Sequence, residues 1–358
     1  MREADPSVDR YMLAKFSAAR RIGVQLTPGL CFSIVLVLAA SYISDRYGSP
    51  QILMALLLGM AFNSISKHKE FSAGIDFCAK NVLRFGVALL GARISFEQVH
   101  SLGIGPVAVV LPVVIATFVF GLLLAAMLKI DRTKALISAA AVAICGASAA
   151  LAVAAVLLHT EKRGSQSTGC ENSMDQHLLC TLVGVAGLST IVMVVYPGVL
   201  VSMGLSVEQM GIFLGASIHD VAQVVGAGHM ISDEVAELAT YTKMLRVGML
   251  VPVVMIIALM FRRTEPNDRS KCAKFLSVFP PFIIAFLAFM VFANMSVMPG
   301  SVVEAAGDMS RLCLIIAMAA LGTKTNLVEM WNMGIKPLLL LVLNTIFIAG
   351  LALVLILY

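Results

Sequence analysis

Long apolar runs, each broken by a few polar residues, repeat along the chain, and runs of about twenty apolar residues mark helices that cross a bilayer. Eleven are predicted, at 27–44, 50–66, 73–94, 103–128, 134–159, 177–200, 207–228, 235–261, 276–296, 304–323 and 335–357. The runs 73–94 and 207–228 are the least apolar. Residues 1–26 precede the first run as a cytoplasmic tail with five cations, and the first run has no small-residue cleavage site, so it reads as a retained span.

Composition supports this pattern. Hydrophobic residues make up 59% of the 358 and charged residues only 13%, with a mean hydropathy of +0.93. A soluble domain averages about a quarter charged residues. The net charge of +5 sits in short connections between apolar runs, which argues against nucleic acid as a partner and for a topology signal. With the N-terminus cytoplasmic, seventeen of the 26 cations fall inside and four outside (Arg46, Arg93, Lys162, Arg163). The other five, Lys80, Arg84, Lys243, Arg246 and Arg311, lie within spans. An odd number of spans leaves the C-terminus outside.

Three short matches recur in one order. Leu56–Ala61 aligns with Ile212–Ser217, Leu83–Gly86 with Leu245–Gly248, and Ala143–Ser148 with Ala319–Lys324, at offsets of 156, 162 and 176. The reading is a duplicated chain: an extra first helix at 27–49, repeat one at 50–204 (helices 2–6) and repeat two at 205–358 (helices 7–11). Five helices per copy invert the second copy, an arrangement found in secondary transporters.

The polar residues inside spans are the candidates for chemistry. Arg84 and Arg246 each lie about eleven residues into a span, roughly 16 Å deep. Lys80 and Lys243 precede them by four and three residues, on the same helix faces. Two basic faces at the midplane suit an anion; a structural pairing with carboxylates or carbonyls is the alternative. Gly146 in the run from Ile144 to Ala150 is a candidate helix break, which would offer backbone N–H groups to an anion with Ser148 adding a hydroxyl. Close helix packing by small residues is the alternative. Gly322 is the candidate partner break, or else the cytoplasmic end of its span. Ser217, His219 and Asp220 form the most polar stretch in any span and suggest coupling or gating. They are too close in sequence for a catalytic triad, and no nucleotide-binding loop or metal motif is present, so neither an enzyme nor a cofactor is expected. Among seven cysteines, Cys170 and Cys180 flank one loop at a spacing that allows a disulfide without fixing its geometry.

The stretches AVAICGASAA, FLGASIHDVAQVVGAG, TKMLRVGMLVP and LGTKTNL, in that order, resemble the YeiH-like family of bacterial inner-membrane proteins, also called the sulfate exporter family. The resemblance covers about residues 27–350; relatives commonly carry Glu where this chain has Asp220. It implies an all-α fold similar to bile-acid/sodium symporters and cation/proton antiporters, in which two discontinuous helices cross at the midplane. It also implies an inner-membrane carrier for a small anion such as sulfate, sulfite or a sulfonate. The expected partners are that anion, the bilayer and a coupling proton or sodium, and a homodimer is compatible. The alternatives are a cation-coupled carrier of larger organic anions, or a membrane sensor that binds an anion without moving it.

Overall fold

The computed structural model describes residues 6–94, 96–97, 100, 103–161, 168–260, 281–295, 298–325 and 335–357. Every regular element among them is helical, and the chain is a polytopic membrane protein. Six described helices are long and apolar enough to cross a bilayer: Gln25–Tyr47, Gly105–Met127, Gln176–Ser202, Asp233–Ile257, Gly300–Lys324 and Ile335–Leu357. Several of the other expected spans are divided, and the divisions position the candidate site.

The chain forms two compact units, one of Met1–Gly86 with Arg311–Lys324, the other of Val87–Ser310 with Thr325–Tyr358. In the first unit, helix α1 (Pro6–Tyr47) precedes α2 (Gln51–Ala61) and α3 (Lys69–Phe77). A π-helical turn at 78–82 then leads into α4 (Leu83–Leu90), whose latter half passes into the second unit. Glycine contacts hold this first unit together. A methyl on Gly29 would lie 2.7 Å from Gly74 Cα, and one on Gly59 would lie 2.9 Å from Gly322 Cα. Such backbone approach is how membrane helices pack where lipid leaves no hydrophobic drive between them. Phe32 adds edge-on contacts with Phe62 and Phe71 at 6.0 and 5.9 Å. At one end, Asn63 Nδ2 donates to the Thr323 carbonyl at 2.7 Å, and Lys324 pairs with Asp76.

The second unit starts its long helices with α5 (Gly105–Met127), followed by α6 (Arg132–Ala140) and a π-helical turn at 141–145. At Gly146 the backbone takes φ 68° and ψ −126°, a conformation open to glycine and closed to other residues. There α7 (Ala147–Glu161) begins, and after it comes α8 (Thr168–Ser202). The direction of α8 decides what happens at Gly146. His177 of α8 is in hydrogen-bond contact with the Lys134 carbonyl (3.2 Å) and Ser138 Oγ (2.9 Å), and Thr181 with Ser138 (3.2 Å). Further along, Val185 Cγ1 stands 3.2 Å from where a Gly146 methyl would be.

Helix α8 thus runs parallel to α6 and draws level with Gly146 at Val185. From Gly146, the 15 residues of α7 cover about 22 Å, and the start of α8 lies about 25 Å before Val185. Had α7 continued in the direction of α6, the link from Glu161 to Thr168 would have to span nearly ~50 Å, and seven residue steps reach at most about 25 Å. The chain folds back at Gly146, and α6 and α7 pack side by side.

A second helix interrupts itself in the same way. Helix α9 (Val207–Ser217) opens with a capping box between Ser206 and Gln209 and stops at Ile218, which is extended. Helix α10 (Val221–His229) starts after His219 with Asp220 as its N-cap. Both lie against α11 (Asp233–Gly248). Gly211 of α9 abuts Leu238, and Gly215 abuts Thr242 and Lys243, so α9 and α11 are parallel. Gly228, near the end of α10, abuts Ala236 near the start of α11, so α10 is antiparallel to both. Residues 207–229 are therefore a hairpin, as are 132–161.

The expectation of two discontinuous helices that cross gives way to two hairpins that meet at their tips. The physical reason at one tip is the left-handed turn at Gly146. At the other it is three residues, 218–220, too few helical hydrogen bonds to carry the axis onward. Helix α11 continues into α12 (Leu250–Met260), which packs against α7. The remaining helices are α13 (Pro281–Asn294), α14 (Gly300–Lys324) and α15 (Ile335–Leu357). Helix α14 divides between the units after Ser310. Gly322 lies inside this unbroken helix, so it is a packing glycine against Gly59 and no helix break. Cys180 is a free thiol, so no Cys170–Cys180 bridge forms; the Cys170 side chain falls outside the described residues.

Candidate anion-carrier core at two hairpin tips

The two tips touch. A methyl on Gly146 would be 3.6 Å from the His219 carbonyl oxygen. Each tip ends a first arm, and the last carbonyls of a helix have no partner of their own. Here they are claimed by two cations on α11. Lys243 Nζ donates to Ile144 O (2.9 Å) on one tip and Ile218 O (2.8 Å) on the other. Arg246 Nε donates to Ala143 O at 2.8 Å, Nη2 to Val142 O, and Nη1 to both Ala216 O and Ile218 O at 2.9 Å. Both side chains are fully buried, the two largest fully buried side chains among the described residues.

A helix C-terminus carries about half a negative charge, so each cation also answers two converging dipole ends. Charge-assisted bonds of this kind are roughly twice as strong as neutral ones. The planar guanidinium, with N–H groups fanned over three nitrogens, suits four carbonyls arriving from two directions.

His219 is fully buried on the second tip, with Nε2 2.9 Å from Thr345 Oγ1 of α15. Its ring also lies beside the Val142 carbonyl, though Nδ1 closes no hydrogen bond of ordinary geometry. The Asp220 carboxylate accepts from Ala222 N at 3.4 Å, capping α10, and acts electrostatically on Lys243. Ser217 turns back on its own helix, donating to Phe213 O at 2.7 Å. Ser148 is exposed at the start of α7 and bonds to Cys145, with Sγ at 2.7 Å and O at 3.2 Å.

Seven of the ten candidate residues therefore share one unit and stand at or beside the tips: Gly146, Ser148, Ser217, His219, Asp220, Lys243 and Arg246. Lys80 and Arg84 are exposed and belong to the other unit, as does Gly322. The matched segments around Arg84 and Arg246 hence have different surroundings, and the break at Gly146 has its structural counterpart at 218–220. Thr345 escaped the sequence reading, although Asn344-Thr345 is a polar pair in an apolar span and was a signal in plain view. The five clamped carbonyls belong to Val142, Ala143, Ile144, Ala216 and Ile218, whose side chains give no sign of that role.

The model of the family described as Conserved hypothetical protein 698 matches residues 28–341. A UPF0324 membrane protein of Chlorobaculum tepidum is 41% identical over 327 residues, covering 91% of this chain and 88% of the relative. The chain belongs to the UPF0324 family. Another UPF0324 membrane protein, TauZ of Paracoccus denitrificans, is 41% identical over 323 residues, 90% of this chain and 92% of its own. TauZ of Paracoccus pantotrophus is 40% identical over 339 residues, 94% and 97%. In this UPF0324 chain the matched region takes in both hairpins and the helix that carries Lys243 and Arg246.

Proposed function

We propose that this protein is a secondary transporter of a small anion, with sulfate, sulfite or a sulfonate as the favoured class, working by alternating access in the bacterial inner membrane. The observation that carries the reading is the meeting of two helix interruptions on a pair of buried cations. Two first-arm C-termini supply about one negative charge in all, against two full positive charges from Lys243 and Arg246. The N-termini of the return arms α7 and α10 add about one more positive charge, and an ionised Asp220 removes one. The remainder is close to a single positive charge, which a small anion would neutralise. Two relatives carry the name TauZ, which points to taurine, a sulfonate.

The role assigned to the arginines changes under this reading. Arg246 holds the tips in place, and the anion meets the field of the cation pair and the first N–H groups of α7, those of α10 being capped by Asp220. Arg84 takes no part. Ser148 stands at the accessible end of α7, and His219 with Thr345 and Asp220 forms the coupling or gating group. The reading is of a carrier and no catalysis is proposed. The buried His219–Thr345 contact ties the second tip to α15.

The test is flux in proteoliposomes loaded with labelled sulfate, sulfite or a sulfonate such as taurine. Wild-type protein should move at least one of them. Arg84→Ala should retain flux within about twofold, whereas Lys243→Met should lose at least tenfold. Absence of flux for every one of these anions, with folded protein in the membrane, would reject the reading. Flux indifferent to an imposed pH or sodium gradient would remove the coupling role of His219 and Asp220.

A further inference from the structure

Helix α15 measures the distance between the open ends of the two hairpins. Its 23 residues extend about 34 Å, close to the ~30 Å hydrocarbon thickness of a bilayer. Near its start, Leu340 clusters with Leu124, Ala125 and Ala135, at the open end of the first hairpin. Near its finish, the Ile356 carbonyl accepts from Gln209 Nε2 at 3.4 Å, at the open end of the second. Between them, Thr345 reaches His219 at the tips. The helix formed by α11 and α12 gives the same order, with α9 and α10 against its first half and α7 against its second.

We propose that the hairpins 132–161 and 207–229 are re-entrant, that they enter from opposite faces of the membrane, and that each is the gate of its own face. Neither crosses. The first begins and ends in the cytoplasm, and the second begins and ends outside.

The charge along the chain supports this disposition independently. Folding 132–161 back moves Lys162 and Arg163 from the outer to the inner side. Nineteen cations then lie inside and two, Arg46 and Arg93, outside. The span 176–202 between the hairpins reverses and carries no cation at its far end, and every span after the second hairpin keeps its orientation, because the second hairpin reverses the effect of the first. The positive-inside bias therefore sharpens when the hairpins replace two crossings. Non-helical backbone at membrane depth is tolerated where protein buries it, and the clamped tip carbonyls meet that condition.

This inference rests on the carrier reading only for the word gate; the sidedness of the hairpins is measured without any flux. Single cysteines at Asp131, Gln176 and Met203 in a cysteine-free chain are labelled with an impermeant maleimide in intact cells and in inverted vesicles. All three side chains are exposed. Re-entrant hairpins place Asp131→Cys and Gln176→Cys on one side and Met203→Cys on the other. A pattern with Gln176→Cys across from Asp131→Cys, or Met203→Cys on its side, overturns the proposal. Should the cysteine-free chain not fold, epitope tags inserted at the same three positions and read by antibody in intact and permeabilised spheroplasts give the same discrimination. A chain with the expected labelling that moves no anion would refute the carrier reading and leave the topology standing.

Discussion

Arg246 commits N–H groups on all three of its nitrogens to four carbonyls, of which only Ile218 O is shared with Lys243 among the described residues. Truncation to alanine strips every one of them of that partner, and an unpartnered buried acceptor costs about 1–3 kcal/mol. Arg246→Ala should therefore melt many degrees below wild type in detergent, whereas Arg84→Ala, which removes an exposed side chain, should melt within a few degrees of it. Thermal unfolding of the purified variants checks both. Gly146→Ala brings a different penalty. Its φ of 68° with ψ −126° is sparsely populated by L-residues, at about 1–3 kcal/mol, and the new methyl meets Val185 at 3.2 Å. The tip should shift and flux should fall at least tenfold, with the fold retained.

These residues were legible in the sequence because an intramembrane cation and a glycine inside an apolar run are each costly without a purpose. What the sequence did not separate was purpose from purpose. Leu-Arg-Phe-Gly and Leu-Arg-Val-Gly read alike, yet one arginine is exposed and the other is sealed against two helix ends. Gly322 and Gly146 also follow similar residues, yet only Gly146 turns the chain. A glycine that admits a neighbouring backbone and one that adopts positive φ leave the same letter.

At the scale of elements, a folded-back pair of short helices and one crossing helix share a hydropathy profile, so the apolar pattern predicts spans where the hairpins stand. Length held a clue: α6 to α7 runs from 132 to 161, well beyond the roughly twenty residues that a crossing needs. The second hairpin is fixed at its open end by charge. Arg93 Nε pairs with Glu237 Oε1 at 2.8 Å and Nη1 with Asp233 at 3.5 Å, and His229 Nδ1 lies 2.9 Å from Asp233 Oδ1. The Arg93 stem packs over Gly307, where an added methyl would be 2.8 Å from its Cδ. Glu237 is buried while Arg93 and Asp233 are partly exposed, so Glu237→Gln should lower stability by more than the about 0–1 kcal/mol of an exposed pair. It should also loosen α10, seen as faster amide hydrogen exchange in 221–229 with exchange in 147–161 unaltered. Equal exchange in both segments would show that the Arg93 contacts do not restrain the hairpin.

At the scale of the whole molecule, the membrane class, the helical fold and the family followed from composition and four short motifs. The grouping of helices into two compact units did not, because that depends on which glycine meets which backbone. The first unit relies on paired glycines, Gly29 with Gly74 and Gly59 with Gly322. Gly59→Leu should force these helices apart and lower the melting temperature markedly, with substitution at the exposed Gly48, which meets nothing within 4 Å, as the positional control for backbone strain alone. The second unit holds the tips and both cations, so chemistry and packing are divided between the units in a way that the repeat alignment does not display.

The sharing of donors between the tips has a consequence for leakage. Lys243 and Arg246 each bond to carbonyls of both hairpins, so withdrawing one tip strips each cation of part of its partners. Withdrawing the second as well would leave two bare charges in a low-dielectric interior, the most expensive arrangement available to the chain. Each closed tip therefore becomes more tightly held as the other departs, because it is the cations' remaining counterpart. Under the gate proposal the pair would work as an interlock, in which the two side chains are never deserted by both tips at once.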